Sequence, residues 1–325
     1  MKKIVLLFFL VAFLAGSAFA DLTARGTAGA QFLKMGNSLD AKWTALSAST
    51  SLVNDAASLL LNPAGLAKCE STQIKMTGLG SSENEYYTTA IYSQPISKYG
   101  VLAAGILYDN LSFEDIAVWD CSTNVGYAIE YKGMSIGIAG KYIHQTIATF
   151  KAQSFALDLG GKYCLPAAKR VNVMVGAAVQ NIGSGVKFLV IKDPLPLTVK
   201  VGASVMWMIS QIDGVVYGDD VYFFSDDNTT WRVGLEYIHL FGKITGSLRL
   251  GYAGNSQNLG NLANLSVGLG ASLNGLYDVD YALVSDGDLG QSHRLTLSVK
   301  FNTFGNEKKK EGDQNEKDKI AYLSY

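Results

Sequence analysis

The sequence has little cysteine, little proline and few charged residues for its length. Its 325 residues include 3 Cys, 5 Pro and 17% charged side chains, with a formal net charge of −1. Cys69, Cys121 and Cys164 are odd in number and lack Cys-x-x-Cys spacing, so they predict neither a disulfide framework nor a zinc site. The near-neutral charge argues against nucleic-acid binding, which requires a basic surface.

Motifs of the common enzyme classes are missing as well. The sequence has no Gly-x-Ser-x-Gly elbow, Walker loop, His-Glu-x-x-His pair or Rossmann glycine pattern. Asp219, Asp220, Asp226 and Asp227 could bind calcium through their oxygens, but they lack the spacing of an EF-hand and fit a charged loop better. We therefore expect a protein that performs no covalent chemistry and needs no cofactor or metal ion.

A long apolar run occurs at the N-terminus. Lys2 and Lys3 precede an apolar stretch over residues 4–15, and Ala18-Phe19-Ala20 follows it. This order is typical of a secretory signal peptide over residues 1–20. No later stretch approaches the roughly 18–20 apolar residues of a transmembrane helix. We expect an exported chain that is soluble in the periplasm, secreted, or a membrane β-barrel.

The sequence is rich in glycine and tyrosine, with 34 Gly and 17 Tyr, and apolar residues alternate regularly with small or polar ones over residues 71–304. Successive side chains of a β-strand point to opposite faces, so this alternation predicts strands with one apolar face. One example alternates Val171, Val173, Val175, Ala177 and Val179 with Asn172, Met174, Gly176, Ala178 and Gln180.

A soluble β-sandwich would show the same alternation as a barrel in lipid. Charged residues on the polar faces of the strands distinguish the two and favour the barrel. A Lys or Arg facing lipid would cost about 2–4 kcal/mol at mid-depth, whereas a wet lumen solvates it. We therefore predict lumen-facing charges that either select solutes or, as we favour, form a structural network. The predicted lumen-facing residues are Glu130, Lys141, Asp158, Lys162, Lys200, Arg232, Glu236, Arg249, Asp278, Asp280 and Lys300.

The connections between predicted strands alternate between short and long. Short ones lie at 132–133 and 274–275, and long ones at 110–122, 145–151 and 182–194. Outer-membrane barrels have short periplasmic turns, long extracellular loops and an even number of strands. The count predicts an all-β fold, a fourteen-stranded antiparallel transmembrane β-barrel, with both ends of the barrel on the periplasmic side. Its ninth strand, over residues 214–221, has the weakest alternation.

Residues 21–70 differ from the barrel because they lack strand alternation. Asn54 could cap a short helix over residues 55–61, with Asp55 at its positive end. The turn Asn62-Pro63-Ala64-Gly65 would end that helix. Apolar residues in this segment need burial, so we predict a partly helical plug inside the lumen rather than a disordered leader.

Short motifs extend over nearly the whole chain after the signal peptide. They are Asn54-Asp55-Ala56-Ala57-Ser58, Asn62-Pro63-Ala64-Gly65-Leu66-Ala67 and residues 26–36, 179–183, 194–198, 234–237, 248–252, 268–270, 280–282 and 288–295. In these motifs the chain resembles the PorV/PorQ family of outer-membrane proteins, which is related to the FadL-type channels. The resemblance implies a fourteen-stranded barrel with an N-terminal plug and the Asn-Pro-Ala turn inside the lumen.

Two features depart from that family. Its usual Met-Gly-Gly-Ala stretch appears here as Ala45-Leu46-Ser47-Ala48, which puts close packing of the plug at this point in question. Residues 305–325 add a charged tail with three consecutive lysines, which we expect to be solvated and periplasmic.

Three functions fit these expectations for a protein embedded in outer-membrane lipid. The first is a FadL-like channel that binds or passes a hydrophobic small molecule, with Leu59, Leu60 and Leu61 as candidates for gating or packing. The second is a PorV-like component of type IX secretion that receives secreted cargo or other secretion-system proteins. The third is a structural or passive porin role.

Overall fold

The computed structural model describes residues 29–36, 39–81, 85–113, 116–168, 170–226, 229–254 and 263–301. The predicted signal peptide and the predicted C-terminal tail lie outside these described residues. Free thiols are found at Cys69, Cys121 and Cys164.

Strands make up most of the described chain. In chain order they are β1 (Thr72–Ser81), β2 (Glu85–Pro95), β3 (Val101–Phe113), β4 (Ile116–Tyr131), β5 (Met134–Ile147), β6 (Phe150–Ala168), β7 (Val171–Gly183), β8 (Val186–Lys187), β9 (Lys192–Asp193), β10 (Thr198–Met208), β11 (Asp213–Phe224), β12 (Thr230–Phe241), β13 (Ile244–Gly254), β14 (Leu265–Leu273), β15 (Tyr277–Ser285) and β16 (Gln291–Phe301). Within the described residues, fourteen of them form a closed antiparallel barrel, and β8 and β9 form a separate hairpin.

The barrel closes through its first and last strands. β1 pairs with β16 from Thr72 opposite Phe301 to Ser81 opposite Ser292. The predicted fourteen-stranded antiparallel barrel is therefore confirmed. The strand with the weakest sequence signal is present as β11, which pairs with β10 and β12 along its length. Closure leaves no unpaired edge, as lipid requires.

Two of the predicted long connections are wrong. β3 and β4 continue through residues 110–122 to Phe113 and Ile116, and β5 and β6 continue through 145–151 to Ile147 and Phe150. β6 has 19 residues, whereas a tilted strand needs only about 9–11 to cross a bilayer. The extra length carries polar residues because it lies beyond the hydrocarbon layer, and in the sequence these residues resemble a loop.

The outer surface of the barrel is apolar. Large apolar side chains exposed on it include Met76, Leu248, Leu269 and Leu297. Exposed aromatic residues lie towards the strand ends, where amphipathic rings suit a membrane interface; they include Tyr131, Trp207 and Trp231. Among the described residues, the helices are too short or too polar to cross a bilayer.

The segment before β1 contains three short helices: α1 (Phe32–Met35), α2 (Ala41–Leu46) and α3 (Ser58–Leu61), followed by a 3₁₀ helix at Pro63–Lys68. Asp40 caps α2 by accepting a hydrogen bond from the Trp43 backbone N–H at 3.2 Å. The predicted helix over 55–61 is shorter than expected. It begins after Ala57, and Asn54 does not cap it.

Asn62 has the capping role that we predicted for Asn54. Its side-chain oxygen accepts from the Ala64 backbone N–H at 3.2 Å, and Pro63 occupies the first turn of the 3₁₀ helix, where its missing N–H is not needed. Asp55 instead accepts from the Ala57 N–H at 2.9 Å, just before α3 begins.

The two ends of the barrel differ. We call the end where Thr72 and Phe301 lie the turn end, and the opposite one, which carries the long connection between β7 and β10, the loop end. The N-terminal segment enters at the loop end, where the Gly29 N–H donates to the Pro194 carbonyl at 2.8 Å. It leaves at the turn end through Cys69 and Glu70 into β1. Residues 29–70 thus run the length of the lumen, and we call them the plug.

Candidate functional site: the plugged lumen

Glycines on the inner wall let the plug approach the barrel backbone. At eight positions, a Cβ added to the glycine would lie within 3.0 Å of a plug atom. These positions, one on each of eight strands, are Gly126, Gly137, Gly160, Gly176, Gly218, Gly234, Gly251 and Gly268. Since glycine has no Cβ, the wall and the plug fit each other at backbone distance.

The plug also packs closely against the wall at residues 45–48, where the sequence departs from the family pattern. Ala45, Leu46, Ser47 and Ala48 are buried, and the backbone around Ala45 and Leu46 lies against three of the wall glycines. Here the glycines that allow close contact are on the barrel rather than in the plug, so the departure from the family pattern does not loosen the packing.

Barrel side chains also bind the plug's main chain near its middle. Asp220 accepts hydrogen bonds from the backbone N–H of Ser49 and Thr50, at 2.7 and 2.8 Å, and from the Thr50 hydroxyl at 2.8 Å. Gln73 accepts from the Ala56 N–H at 2.8 Å, and Thr296 from the Ala41 N–H at 2.9 Å. These residues on β11, β1 and β16 satisfy main-chain donors that a buried irregular segment would otherwise leave unpaired.

Carbonyls of the plug receive donors from side chains on β6, β7 and β10. Gln180 donates to the Leu60 carbonyl at 2.7 Å, and the Lys200 ammonium donates to the Leu61 carbonyl at 3.0 Å. Lys162 donates to the Val53 carbonyl. The first two cap the C-terminal end of α3, where a positive charge also suits the helix dipole. Two of the predicted lumen-facing lysines therefore contact the plug backbone.

Lys75 lies between two plug carboxylates. Its ammonium is 2.6 Å from Asp40 Oδ2 and 2.6 Å from Asp55 Oδ2. Burial alone would raise the pKa of Asp55, but Lys75 and Lys42 lower it to about 2, so this carboxylate is ionised. Trp43 Nε1 also donates to Asp55, at 3.1 Å. This ion cluster ties the plug to β1.

The other predicted charges pair across the wall or with the plug. Arg249 binds Glu236 at 2.7 Å and Asp280 at 2.6 Å, linking β12, β13 and β15. Lys141 pairs with Asp158 at 2.8 Å, Lys300 with Asp278 at 2.9 Å, and Glu130 with Lys68 of the plug at 2.7 Å. Arg232 lies over the ring of buried Tyr222, 4.5 Å from its centroid. Paired in this way, the charges have the arrangement expected of a structural network.

A bulge between β6 and β7 organises one part of this network. Asp158 lies opposite both Gln180 and Asn181, and Asn181 adopts a left-handed conformation with φ of 62°. The Asp158 carboxylate accepts from the Gln180 side chain at 3.0 Å and the Asn181 N–H at 2.8 Å. The bulge turns two consecutive residues inward, which lets Gln180 reach α3.

The three leucines proposed for gating lie within the packed plug. Leu59, Leu60 and Leu61 are all buried. Leu59 and Leu60 belong to an apolar cluster with Ile91, Val101 and Ala128 on the wall, while Leu61 packs in the cluster around Trp43 and Leu52. The three leucines therefore pack in the core of the plug, which is one of the two roles we predicted for them. A role in gating remains a prediction.

An apolar site lies inside the loop end, and α1 fills it. Phe32 and Leu33 are buried in a cluster with wall residues that include Tyr87, Leu107 and Ile143. Val186 and Leu195, from the long connection after β7, complete this cluster, which we call the mouth cluster. Phe188 packs against it, and the neighbouring tip residues Leu189, Val190 and Ile191 are 68%, 83% and 77% exposed.

Contacts from the loops hold α1 in this site. Asp226, just after β11, accepts from the Gln31 amide at 2.6 Å and pairs with Lys34 at 2.9 Å. Lys34 also lies 5.2 Å from the centroid of the Phe224 ring. Asp226 was one of the aspartates we considered for a charged loop; in the fold it faces the plug.

The turn end contains an open polar cavity of about 620 Å³. Charges of both signs line it, including Lys42, Asp55, Arg249, Asp278 and Lys300. The cavity is therefore suited to water and polar groups, in contrast to the mouth cluster at the other end.

Sequence reasoning missed several residues that hold the plug. Gln73 and Lys75 follow the inward parity of β1, where they alternate with Ile74 and Met76, so the alternation could have identified them. Asp220 shares a face with Gly218 and Tyr222 and could have been found in the same way. Nothing in the sequence indicates which groups of the plug these residues bind.

No protein-family model and no curated protein matches the sequence. Solved structures share its fold. The Ralstonia pickettii toluene transporter TbuX is 8% identical, with a TM-score of 0.55 over 82% of this chain and 99% of that one. The Pseudomonas putida toluene transporter TodX is 10% identical, with a TM-score of 0.52 over 86% and 98%. CymD, a monoaromatic hydrocarbon channel, is 9% identical, with a TM-score of 0.54 over 81% and 98%.

At identities this low the likeness establishes the fold alone, which this chain shares with these three proteins. A closed barrel with an apolar outer wall is the form in which strands cross the outer membrane. The chain is an outer-membrane β-barrel.

Proposed function

We propose that this protein is a FadL-like channel that admits a hydrophobic small molecule at its loop end and that the α1 region of the plug is its gate. The observation that supports this proposal most directly is an apolar path at the loop end. It begins at the exposed tip residues 189–191, continues through Phe188 and ends in the mouth cluster. Such a path lowers the free energy of an apolar solute by roughly 25 cal/mol for each Å² that it removes from water.

In the present conformation Phe32 and Leu33 occupy the place that an apolar solute would take. A solute that displaced α1 would replace one set of apolar contacts with another, so the exchange would have a small net free energy. TbuX and TodX are toluene transporters and CymD is a monoaromatic hydrocarbon channel, and such hydrocarbons are small apolar solutes.

The two parts of the plug are held differently, and this points to α1 as the moving part. Residues 41–61 exchange main-chain hydrogen bonds with strand residues on both sides of the barrel, among them Thr296, Asp220 and Gln180. The described polar contacts of residues 29–36 include two loop residues, Pro194 and Asp226. Loops move at lower free energy than packed strands, so residues 29–36 can leave while the deeper plug stays.

Reversible cross-links test this proposal. A Cβ at position 29 would lie 3.1 Å from the Cβ of Asp193, close to the separation of about 3.5–4.5 Å in disulfides, but it would also collide with the side chain of Val186. Val186→Ala in the same variant makes room for the new side chain. In a background with the three native cysteines changed to Ser, Gly29→Cys with Asp193→Cys should therefore lock α1. We expect uptake of labelled toluene by cells producing this variant to fall to the level of cells without the protein, and a reductant to restore it.

A second cross-link is the matched control. A Cβ at Gly218 would lie 3.2 Å from the Cβ of Ala48, in the deeper plug. The added side chain at Gly218 also presses on Leu52, so this variant is compared with itself in its two redox states. The pair Ala48→Cys and Gly218→Cys should give the same uptake oxidised and reduced. Undiminished uptake with the oxidised 29–193 link would refute α1 as the gate, and uptake no greater than in cells without the protein would refute the channel itself.

We retain the resemblance to the PorV/PorQ family, and with it the alternative of cargo reception in type IX secretion, as predictions from the sequence motifs. The motif at residues 54–65 supports them in one respect: it forms the plug turn around Asn62, whose amide donates to the Thr50 carbonyl at 2.7 Å. Co-purification with secretion-system proteins would favour that alternative over the channel.

A further inference from the structure

The connections between barrel strands carry opposite charge at the two ends of the barrel. Those at the turn end contain no acidic residue and five basic ones: Lys98, Lys132, Lys169, Arg170 and Lys243. Those at the loop end contain two basic residues, Lys187 and Lys192, and eight acidic ones: Glu83, Glu114, Asp115, Asp193, Asp226, Asp227, Asp286 and Asp288. A chain whose formal net charge is only −1 thus has a basic rim at one end and an acidic rim at the other.

Three of the basic residues lie on consecutive turns. Lys98 lies between β2 and β3, Lys132 between β4 and β5, and Arg170 between β6 and β7, and all three are exposed. Neighbouring strands are about 4.8 Å apart, so each of these turns lies roughly 10 Å from the next along the rim. We call Lys98, Lys132 and Arg170 the basic arc.

The lysines of the basic arc lie beside interfacial aromatic rings. Lys98 Nζ is 5.4 Å from the centroid of the Tyr99 ring, and Lys132 Nζ is 5.1 Å from that of the Tyr131 ring. Both rings are exposed. Because amphipathic rings of a membrane protein lie at the level of the lipid headgroups, the two ammonium groups are placed where lipid phosphates lie.

The basic arc lacks an anionic partner within the part of the protein that the structure describes. Its three residues form no ion pair there, whereas Lys75 and Arg249 in the lumen each bind two carboxylates. Arg170 donates to the Ile209 carbonyl at 3.4 Å, which uses one of its five N–H donors. The arc is therefore able to pair with an anion from outside the protein.

We propose that the basic arc binds the phosphate groups of anionic phospholipids, such as phosphatidylglycerol, in the membrane leaflet at the turn end. Lysine and arginine near a membrane surface attract anionic lipids, and arginine binds phosphate through paired N–H donors. A zwitterionic lipid carries its own ammonium group and gains less from the same cations. The acidic rim repels anionic headgroups, so the preference is confined to one end of the barrel. The site does not depend on the proposed channel function, because lipid binding requires no transport.

A tryptophan beside the basic arc can report on its lipid neighbours. Trp207, exposed on β10, lies directly opposite Val171, the residue after Arg170. The Met208 N–H also donates to the Arg170 carbonyl, at 2.9 Å. Trp231, near the start of β12, is exposed at the loop end. The two rings therefore sample lipids at the basic rim and at the acidic rim separately.

Quenching of these tryptophans by brominated lipids tests the proposal on the full-length protein in phosphatidylcholine vesicles. Brominated phosphatidylglycerol should quench Trp207 with an apparent association constant about fivefold above that of brominated phosphatidylcholine, and should quench Trp231 with no such preference. Comparison with Trp207→Phe and Trp231→Phe isolates the two signals. We expect Lys98→Gln, Lys132→Gln and Arg170→Gln together to remove the preference at Trp207.

The matched control removes three exposed lysines at the loop end. Lys151→Gln, Lys187→Gln and Lys192→Gln together should leave the preference at Trp207 intact. Because salt screens exposed charges, roughly 0.5 M NaCl should reduce the preference in the wild type.

Four results would overturn the proposal. They are equal quenching of Trp207 by the two lipids, an equal preference at Trp231, the same loss of preference in both triple variants, and a preference that soluble glycerol phosphate abolishes. The last would mean that the basic arc binds free phosphate rather than lipid. If the triple variant of the arc does not fold, the comparison of Trp207 with Trp231 and the effect of salt decide in the wild type.

Discussion

At the scale of single residues, the inner wall is shaped by missing side chains. Gly234 is the clearest case, because a Cβ there would collide with the backbone carbonyl of Leu46, which cannot rotate away as a side chain could. Gly161 is also on a barrel strand, but a Cβ there would meet open space. Glycine is therefore required at position 234 by the contact with the plug, whereas position 161 has room for a larger side chain.

We predict that Gly234→Ala destabilises the plug by about 1–3 kcal/mol, the usual range for overpacking. The readout is the native thiol of Cys69, which is buried at the end of the plug, and burial raises the pKa of this thiol to about 12. Loosening of the plug should speed the reaction of Cys69 with a maleimide, measured by mass spectrometry.

Gly161→Ala is the control for this prediction. It should leave Cys69 protected and change stability by no more than the gain of about 0.4–1 kcal/mol that Gly→Ala gives where the backbone permits it. Equal rates of Cys69 labelling in the two variants would show that the wall glycines do not determine the plug's fit.

Residue chemistry also explains why the buried charges occur in groups. Removing Lys75 would leave Asp40 and Asp55 facing each other in the lumen, and an unpaired buried charge costs about 3–5 kcal/mol. The groups were predictable in part. Alternation placed the eleven charges on the inner face, but their partners depend on strand register and on the path of the plug.

At the scale of elements, the β8–β9 hairpin combines features that a soluble loop rarely has. Its three apolar tip residues are exposed, and Lys187 and Lys192 lie directly opposite each other. Its base is fixed, because Val186 is fully buried in the mouth cluster. A rigid apolar tip beside an apolar site is suited to first contact with a hydrophobic solute.

We predict that changing Leu189, Val190 and Ile191 together to Asn slows toluene uptake several-fold at low solute concentration, because capture becomes limiting. The melting temperature should stay within about 1 °C, since exposed residues contribute little to stability. The control exchanges Leu189→Val, Val190→Leu and Ile191→Leu, which alters shape but keeps the tip apolar and should keep the uptake rate. An unchanged rate of toluene uptake in the Asn variant would show that the tip is not part of the path of the solute.

Helices of the plug illustrate what local sequence could and could not determine. The Asn62-Pro63 pair was recognisable as a helix boundary because both residues act on their own backbone. The start of α3 was not, since Asp55 is bound to Lys75 and Trp43, which are distant in sequence, and this fixes residues 54–57 outside the helix. Tertiary contacts overrode the capping signal at Asn54.

At the scale of the whole molecule, the barrel wall separates lipid from the charged interior. This separation predicts a dependence on depth for charges placed on the outer face. Leu250→Arg, near the middle of β13, should cost about 2–4 kcal/mol in a bilayer, and Leu273→Arg, at the turn end of β14, about 0–1 kcal/mol. Chemical denaturation in lipid vesicles measures both, and equal costs would contradict the membrane position.

Strand period is a local property, so the sequence by itself determined the barrel, its fourteen strands and the sorting of apolar from charged faces. Only the tertiary structure decided how far β3 to β6 extend, which charges pair, why the wall glycines are needed and where α1 sits. Contacts between the plug and the wall join residues more than a hundred positions apart, such as Gln180 and Leu60 or Asp220 and Ser49. Contacts of that kind depend on closure of the barrel around the plug, and no periodicity along the chain records them.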